Sequence, residues 1–159
     1  MRLLLALLTT AAVCHAETIP KIETKTVSGK PLSLPTAASG KPAVLIFGFS
    51  QESDKQIEQW AKSLRAEQLT VYSIPVLESV PKLIRGIVAS GIRSSTEPAF
   101  RDYMAPVFSG EAALKSLVQF KEPKDAYVVL LDATGNILFK GHGAAPETFQ
   151  KFHAALPRQ

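Results

Sequence analysis

An α/β three-layer sandwich, with a mixed central sheet flanked by helices, is the fold class this sequence predicts. Three observations carry it. The run Pro42 to Phe49 is almost continuously apolar, as expected of a strand covered on both faces. A short polar corner, Ser50 to Asp54, leads from it into Ile57, Trp60, Ala61 and Leu64, which recur at helical spacing, and a second strand-like run, Leu69 to Val76, follows. Such a strand–helix–strand crossover sets its two strands parallel. Late in the chain, Ala126 to Leu131 and Asn136 to Lys140 flank the turn Asp132-Ala133-Thr134-Gly135, a hairpin that adds an antiparallel pair.

The elements follow in order. Ile22, Thr24 and Thr26 alternate with polar neighbours, Ser28-Gly29-Lys30 signals a turn, and Leu32 and Leu34 alternate again, so residues 17–40 form a hairpin or extended arm ahead of a domain at 41–159. Ser53 with Gln56 three residues later fits a capping box at the start of the first helix, and Trp60 reads as core. Pro75 marks where the second strand stops pairing. Ser79 can cap a second helix with Pro81 in its first turn, and Leu83, Ile84, Ile87 and Val88 give it a stripe expected to be buried. Ile92 to Met104 holds a short helix over 98–103, Val107-Phe108 a short strand, and Glu111 to Phe120 a helix burying Leu114, Leu117 and Val118. Gly141-His142-Gly143 reads as a flexible break before a closing helix, Pro146 to Leu156, with Phe149, Phe152 and Ala155 on one face.

Bulk properties narrow the function classes. The 159 residues are consistent with one domain. Residues 1–16 read as a secretory signal: Arg2 supplies the positive start, Leu3 to Val13 the apolar run, and Cys14-His15-Ala16 a small-x-small cleavage site. The apolar run is too short to span a bilayer comfortably. Attachment of lipid to Cys14 requires a small residue before it, and Val13 is branched. Cleavage after Ala16 is therefore expected, with the product periplasmic or secreted. Cys14 is the only cysteine, so the exported chain has no thiol for disulfide exchange, peroxide reduction or a cysteine metal site. The net charge of +4 falls to +3 with the loss of Arg2, too mild to imply nucleic acid but compatible with an acidic protein surface or a membrane-associated partner.

Four matches in order carry a resemblance. They are Gly29-Lys30-Pro31-Leu32-Ser33-Leu34, Gly40-Lys41-Pro42, the strand Val44 to Phe49, and Leu130-Leu131-Asp132-Ala133-Thr134-Gly135-Asn136-Ile137. Together they resemble the thioredoxin-like superfamily, in particular exported TlpA/ResA-type proteins and the alkyl hydroperoxide reductase group. The resemblance implies a thioredoxin-like three-layer sandwich. It also implies that the corner Phe49-Ser50-Gln51-Glu52-Ser53 stands where those proteins carry Trp-Cys-x-x-Cys, with Ser50 and Ser53 at the cysteine positions. A serine hydroxyl is too weak an acid to replace a thiolate. The docking cis-proline of that family aligns with Ala126, Pro123 lying three residues earlier. Val71 to Ser95 and Ala126 to Gly143 are also similar to the mitochondrial assembly factors for the membrane sector of ATP synthase, a subfamily without obligatory redox cysteines. That likeness implies binding or assembly work rather than turnover.

The chemical alternatives are few. Ser50 with His142 is a possible nucleophile and base, with Glu52 or Asp54 as orienting acid, but no glycine-flanked elbow surrounds Ser50. His142 and His153 are the only histidines after residue 16, too few for a metal site without carboxylates, so neither metal nor cofactor is expected. Lys82, Arg85, Arg93 and Arg101 are the candidate partner-binding set, Arg85 and Arg93 foremost because apolar residues and glycine flank them. The solvated alternative pairs them with Glu78 and Glu97. The function expected is that of a non-redox protein acting by protein binding or assembly assistance. The alternatives are a hydrolase-like enzyme using Ser50 and His142, or a degenerate redox-family protein that binds oxidoreductase clients without turnover.

Overall fold

The computed structural model of the chain describes residues 17–157; the expected signal sequence, its expected cleavage site and Cys14 lie outside them. Among the described residues six strands and four α-helices are present: β1 (Glu23–Lys25), β2 (Pro31–Ser33), β3 (Ala43–Gly48), α1 (Asp54–Ala66), β4 (Thr70–Pro75), α2 (Arg85–Ser95), α3 (Glu111–Leu117), β5 (Tyr127–Leu131), β6 (Ile137–His142) and α4 (Pro146–Ala155). The main sheet has the order β4-β3-β5-β6. β3 runs parallel to β4 and antiparallel to β5, and β5 antiparallel to β6. The expected mixed sheet is thus present, and β1 and β2 form the expected N-terminal hairpin.

Every residue of β3 and β5 is buried, because alternate side chains enter two separate cores. Val44, Ile46, Val128 and Leu130 face α1 and α4, where Trp60, Leu64 and Phe152 fill the space. Leu45, Phe47, Tyr127 and Val129 face α3 together with Ile22, Leu32 and Leu34 of the N-terminal arm. Burying each of these large side chains contributes about 1.5–3 kcal/mol. Trp60 anchors the first core. It stacks on Phe149 at 3.7 Å, meets Phe152 edge-on at 5.5 Å, and donates its indole N–H to the Gly143 carbonyl at 2.8 Å. The β5–β6 turn is held by Asp132, which accepts from the Thr134 and Asn136 backbone N–H groups and both of their side chains. The hydrogen bonds from the Asn136 and Thr134 side chains keep its carboxyl well below the usual carboxylate range.

Three local expectations are corrected. Ser53 does not cap α1: its hydroxyl donates to the Ser50 carbonyl at 2.7 Å, and a 3₁₀ turn over Gln51–Ser53 carries the chain into the helix. Gly141-His142-Gly143 is not a break, since Gly141 and His142 pair within β6 opposite Val128 and Tyr127.

The third correction concerns α2. Its apolar stripe is not buried: Leu83, in the turn before it, is 97% exposed, Ile87 72% and Ile84 43%, and no residue of α2 reaches the core. Nor does Ser79 cap it, because Pro81 occupies the cap of the preceding 3₁₀ turn. The reason lies at the sheet edge. Residues 104–107 run alongside β4, with bridges Ser73–Met104 and Val76–Val107, and the Ala105 and Val107 N–H groups donate to the Ser73 and Pro75 carbonyls. They occupy the edge that a fifth strand would use. They leave α2 outboard of both layers.

Candidate functional site

Two regions hold the residues singled out by the sequence. The first is the corner between β3 and α1. Ser50 is extended (φ −155°, ψ 163°) and caps the 3₁₀ turn, its hydroxyl accepting from the Glu52 N–H at 3.2 Å and donating to the Pro123 carbonyl at 2.6 Å. Ser53 is fully buried. Gly48 packs so closely beneath them that a Cβ there would meet Ile57 Cδ1 at 2.4 Å and Ser53 Oγ at 2.6 Å. Gln51 and Glu52 are exposed on the outside of the turn.

Facing this corner is the segment that enters β5. The Ala126 N–H donates to Gln56 Oε1 at 3.0 Å, and its carbonyl accepts from the Gly143 N–H at 3.0 Å, so neither backbone group is open to an incoming chain. Gln56 Nε2 donates to Asp125 Oδ1 at 3.3 Å, and Asp125 Oδ2 lies 2.7 Å from His142 Nδ1. Asp125 is buried, while the His142 ring is half-exposed and stacks on Tyr127 at 5.6 Å. The Tyr127 hydroxyl in turn accepts from the Lys121 and Glu122 N–H groups and donates to the Glu122 carbonyl, fixing the facing loop.

These contacts revise the nucleophile-and-base pairing. The carboxylate that orients His142 is Asp125, not Glu52 or Asp54. Partial burial pushes the Asp54 carboxyl up, and no hydrogen bond joins it to His142. Nor does any hydrogen bond join Ser50 to His142: the Ser50 proton is directed at Pro123. What is assembled is an Asp–His dyad with no nucleophile hydrogen-bonded to it. Asp125 escaped the sequence reading, and Gln56 entered it only as a cap partner of Ser53, because the two meet through a pairing 69 residues apart in sequence.

The second region is the groove between β1 and α2, a trough of about 780 Å³. Arg85, Ala89 and Arg93 line one wall at i, i+4 and i+8, which places them on a single helix face. Glu23 and Lys25 line the other, with Pro106 and Phe108 between. Arg85 is committed internally. It donates to the Val80 carbonyl at 2.9 Å and the Glu78 carbonyl at 3.1 Å, and its guanidinium lies 5.2 Å from the centre of the Phe108 ring. Arg93, Lys82 and Lys25 carry no ion pair among the described residues. Arg101 stands apart, on the 3₁₀ turn Pro98–Tyr103, and donates to the Thr96 carbonyl at 3.1 Å. The structure therefore brings Arg85 and Arg93 together, puts Lys82 just before them, and separates Arg101. Neither nominated carboxylate neutralises them: Glu78 accepts from the Glu111 N–H at 2.7 Å, at the start of α3, and Glu97 is in no ion pair among the described residues. Lys25 and Phe108 were not singled out from the sequence, since they reach the groove only when the hairpin folds back beside α2.

Among the described residues no three His, Cys, Asp or Glu side chains cluster as metal ligands. His153 belongs to a different place, bonding Glu67 at 2.9 Å across the ends of α4 and α1. No described helix is long and apolar enough to cross a membrane.

Comparison with solved structures gives the fold a name. The chain is similar to BsSco, a member of the Sco family of cytochrome c oxidase assembly proteins, at 15% identity over 89% of this chain and 94% of that one, with a TM-score of 0.55. It is similar to the exposed lipoprotein thioredoxin Etrx1 of Streptococcus pneumoniae at 12% identity over 86% and 98%, with a TM-score of 0.54. It is also similar to a thiol:disulfide interchange protein DsbE from Chlorobium tepidum, so described as putative, at 17% identity over 88% and 96%, with a TM-score of 0.56. At these identities the likeness establishes a thioredoxin-like fold. No protein-family model matches the sequence, and neither does any curated protein.

Proposed function

We propose that this chain is an exported, redox-inactive thioredoxin-like protein that acts by binding another protein or assisting its assembly, with α2 and its flanking groove as the contact surface. One contrast carries the reading. At the corner, Ser50, Ser53 and Ala126 spend their polar groups inside the molecule. On α2 and the turn before it, Lys82, Leu83, Ile87 and Arg93 project outward, two of them large apolar side chains. Apolar residues exposed beside unpaired cations are characteristic of a surface used for recognition. An assembly role is supported by the likeness to BsSco and by the sequence resemblance to ATP synthase assembly factors. Binding of oxidoreductase clients at the corner is disfavoured, since the Ala126 N–H is already taken by Gln56.

The test is twofold. The purified exported chain should show no insulin reduction and no peroxidase turnover; robust thiol-dependent turnover would falsify the redox-inactive part. A pull-down from envelope extracts should lose partners when Arg93 is changed to Ala, alone and with Arg85→Ala. Arg93→Ala is the cleaner variant, because Arg85 also holds the segment 78–80. Identical partner sets for wild type and variants would remove the basic surface from the proposal.

The Asp125–His142 dyad favours a second reading, thiol-independent hydrolysis with His142 as base. It predicts ester or amide hydrolysis lost in both His142→Ala and Asp125→Asn. Wild type without activity across an ester and peptide panel would remove it.

A further inference from the structure

We infer that the groove between β1 and α2 takes an extended, acidic peptide segment of a partner protein, which adds to the free edge of β1. The inference rests on the binding reading above and specifies its ligand.

The first support is the register of the hairpin. Thr24 pairs with Leu32, the Leu34 N–H donates to the Ile22 carbonyl, and the Thr26 N–H donates to the Lys30 carbonyl. In an antiparallel ladder the groups of every second residue face the partner strand. Ile22, Thr24 and Thr26 therefore bond toward β2, and the N–H and C=O groups of Glu23 and Lys25 point the other way. Those groups find no backbone partner among the described residues, although Val27, two residues on, donates from that side to the Met104 carbonyl. β1 thus has a short open edge, and residues 23–25 themselves line the groove. An open edge of this kind recruits an extended chain through main-chain hydrogen bonds.

The second support is charge. Lys25 on the strand wall and Arg93 on the helix wall are exposed and unpaired among the described residues, and Arg85 adds a third cation held against Phe108. Glu23 is the single carboxylate lining the trough. In an extended peptide, alternate side chains point to opposite faces. Carboxylates at every second position can then meet Lys25 and Arg93, while the intervening side chains rest on Val27, Pro106 and Phe108. A guanidinium and a carboxylate form the stronger, charge-assisted class of hydrogen bond. Backbone pairing supplies affinity and the cations set the sign of the ligand.

The experiment is fluorescence anisotropy on the purified chain with three labelled hexapeptides. These are alternating Glu-Val, alternating Lys-Val, and alternating Glu-Val N-methylated at every residue. The Glu-Val peptide should bind about tenfold or more tightly than the Lys-Val peptide, and N-methylation should abolish binding, because strand addition needs the N–H groups. Lys25→Glu and Arg93→Glu should each weaken the Glu-Val peptide about 5- to 10-fold. Lys82→Glu, outside the groove, should stay within about twofold of wild type. Circular dichroism of each variant checks that these exposed substitutions leave the fold intact. The Glu23 and Lys25 amides should shift in a heteronuclear NMR titration. Equal binding of the acidic and basic peptides, or no loss in Lys25→Glu and Arg93→Glu, overturns the inference. If the peptides fail while Arg93→Ala still changes partner capture, the groove ligand is wrong and the binding reading stands. If neither responds, both fall.

Discussion

The corner between β3 and α1 and the groove between β1 and α2 belong to different sheets, and they treat their polar groups in opposite ways. At the corner the polar groups of Ser50, Ser53, Gln56 and Asp125 each have a local use: Ser53 on Ser50, Ser50 on Pro123, Gln56 on Ala126 and Asp125, Asp125 on His142. Beside α2 the helix contributes nothing to the core and carries cations without ion pairs among the described residues. Satisfied polar networks rigidify a fold, whereas exposed apolar and charged side chains add little to stability. On the proposed function, the corner serves as scaffold and recognition falls to an element the core does not need. Substitutions in the two regions should separate along the same line, with stability lost at one and binding at the other.

The largest effect is expected at Trp60, which roots the corner in the core. Trp60→Ala removes the stack on Phe149, the edge contact with Phe152 and the bond to Gly143. A loss of about 3–5 kcal/mol in urea unfolding is expected for an aromatic residue with no exposed surface. A loss below about 1 kcal/mol would mean that the α1–α4 layer is not the rigid half of the comparison.

Asp125 tests the network itself. Asp125→Ala strands Gln56 Nε2 and His142 Nδ1 without their acceptor. A destabilisation of about 1 kcal/mol is expected, because Gln56 and His142 are partly exposed and water takes over part of the lost bonding. Peptide binding at the groove should not change. If stability is unaffected, Asp125 is not structural, and the hydrolytic reading of the dyad gains the carboxylate as its own.

The parts of this contrast that were legible in the sequence are those set by local pattern. Val44 to Phe47 and Tyr127 to Leu131 announce themselves as doubly covered strands because continuous apolar runs fit only that environment. Asp132 to Gly135 announces its turn through residues suited to it. The stripe of Leu83, Ile84, Ile87 and Val88 misled for a physical reason. Periodicity shows that apolar side chains share a helix face but not that a layer exists to cover them. Here residues 104–107 had already closed the sheet edge. His142 was legible only as a candidate base for Ser50, and Asp125 not at all. It is the β5–β6 register, which sets Tyr127 opposite His142, that brings the histidine back beside Asp125.

A smaller effect is expected at His153, which joins α4 to the end of α1 on the surface of the rigid layer. Its side-chain hydrogen bond to Glu67 raises the imidazole pKa above its ordinary value. The folded state then holds the proton more tightly than the unfolded chain, so the pair's contribution is fully present below the unfolded pKa of about 6.5 and is lost as pH rises through the folded value. The pair is more than a third exposed, and solvent screening limits it to about 0.2–1 kcal/mol. His153→Gln should thus unfold slightly earlier than wild type at pH 5.5 and indistinguishably at pH 8.5. A difference that grows with pH would contradict the ion pair.

The smallest effect on stability, and the sharpest on the comparison, is expected on α2. Leu83 and Ile87 are one helical turn apart, 97% and 72% exposed, and point away from the body of the molecule. Little apolar surface is hidden by either side chain, so Leu83→Ser with Ile87→Ser should change the unfolding free energy by no more than about 0.5 kcal/mol. An ordinary buried Leu would cost several times that on truncation. The same double variant should reduce partner capture from envelope extracts if these side chains are the apolar centre of the contact, while leaving the acidic peptide in the groove bound as before. Loss of capture without loss of stability would assign the two functions of the surface to two faces of one helix: apolar contact on the outer face, acidic chain on the inner. A variant that unfolds several kcal/mol early would instead mean that α2 is covered in the folded protein, and the division between scaffold and recognition surface would have to be redrawn.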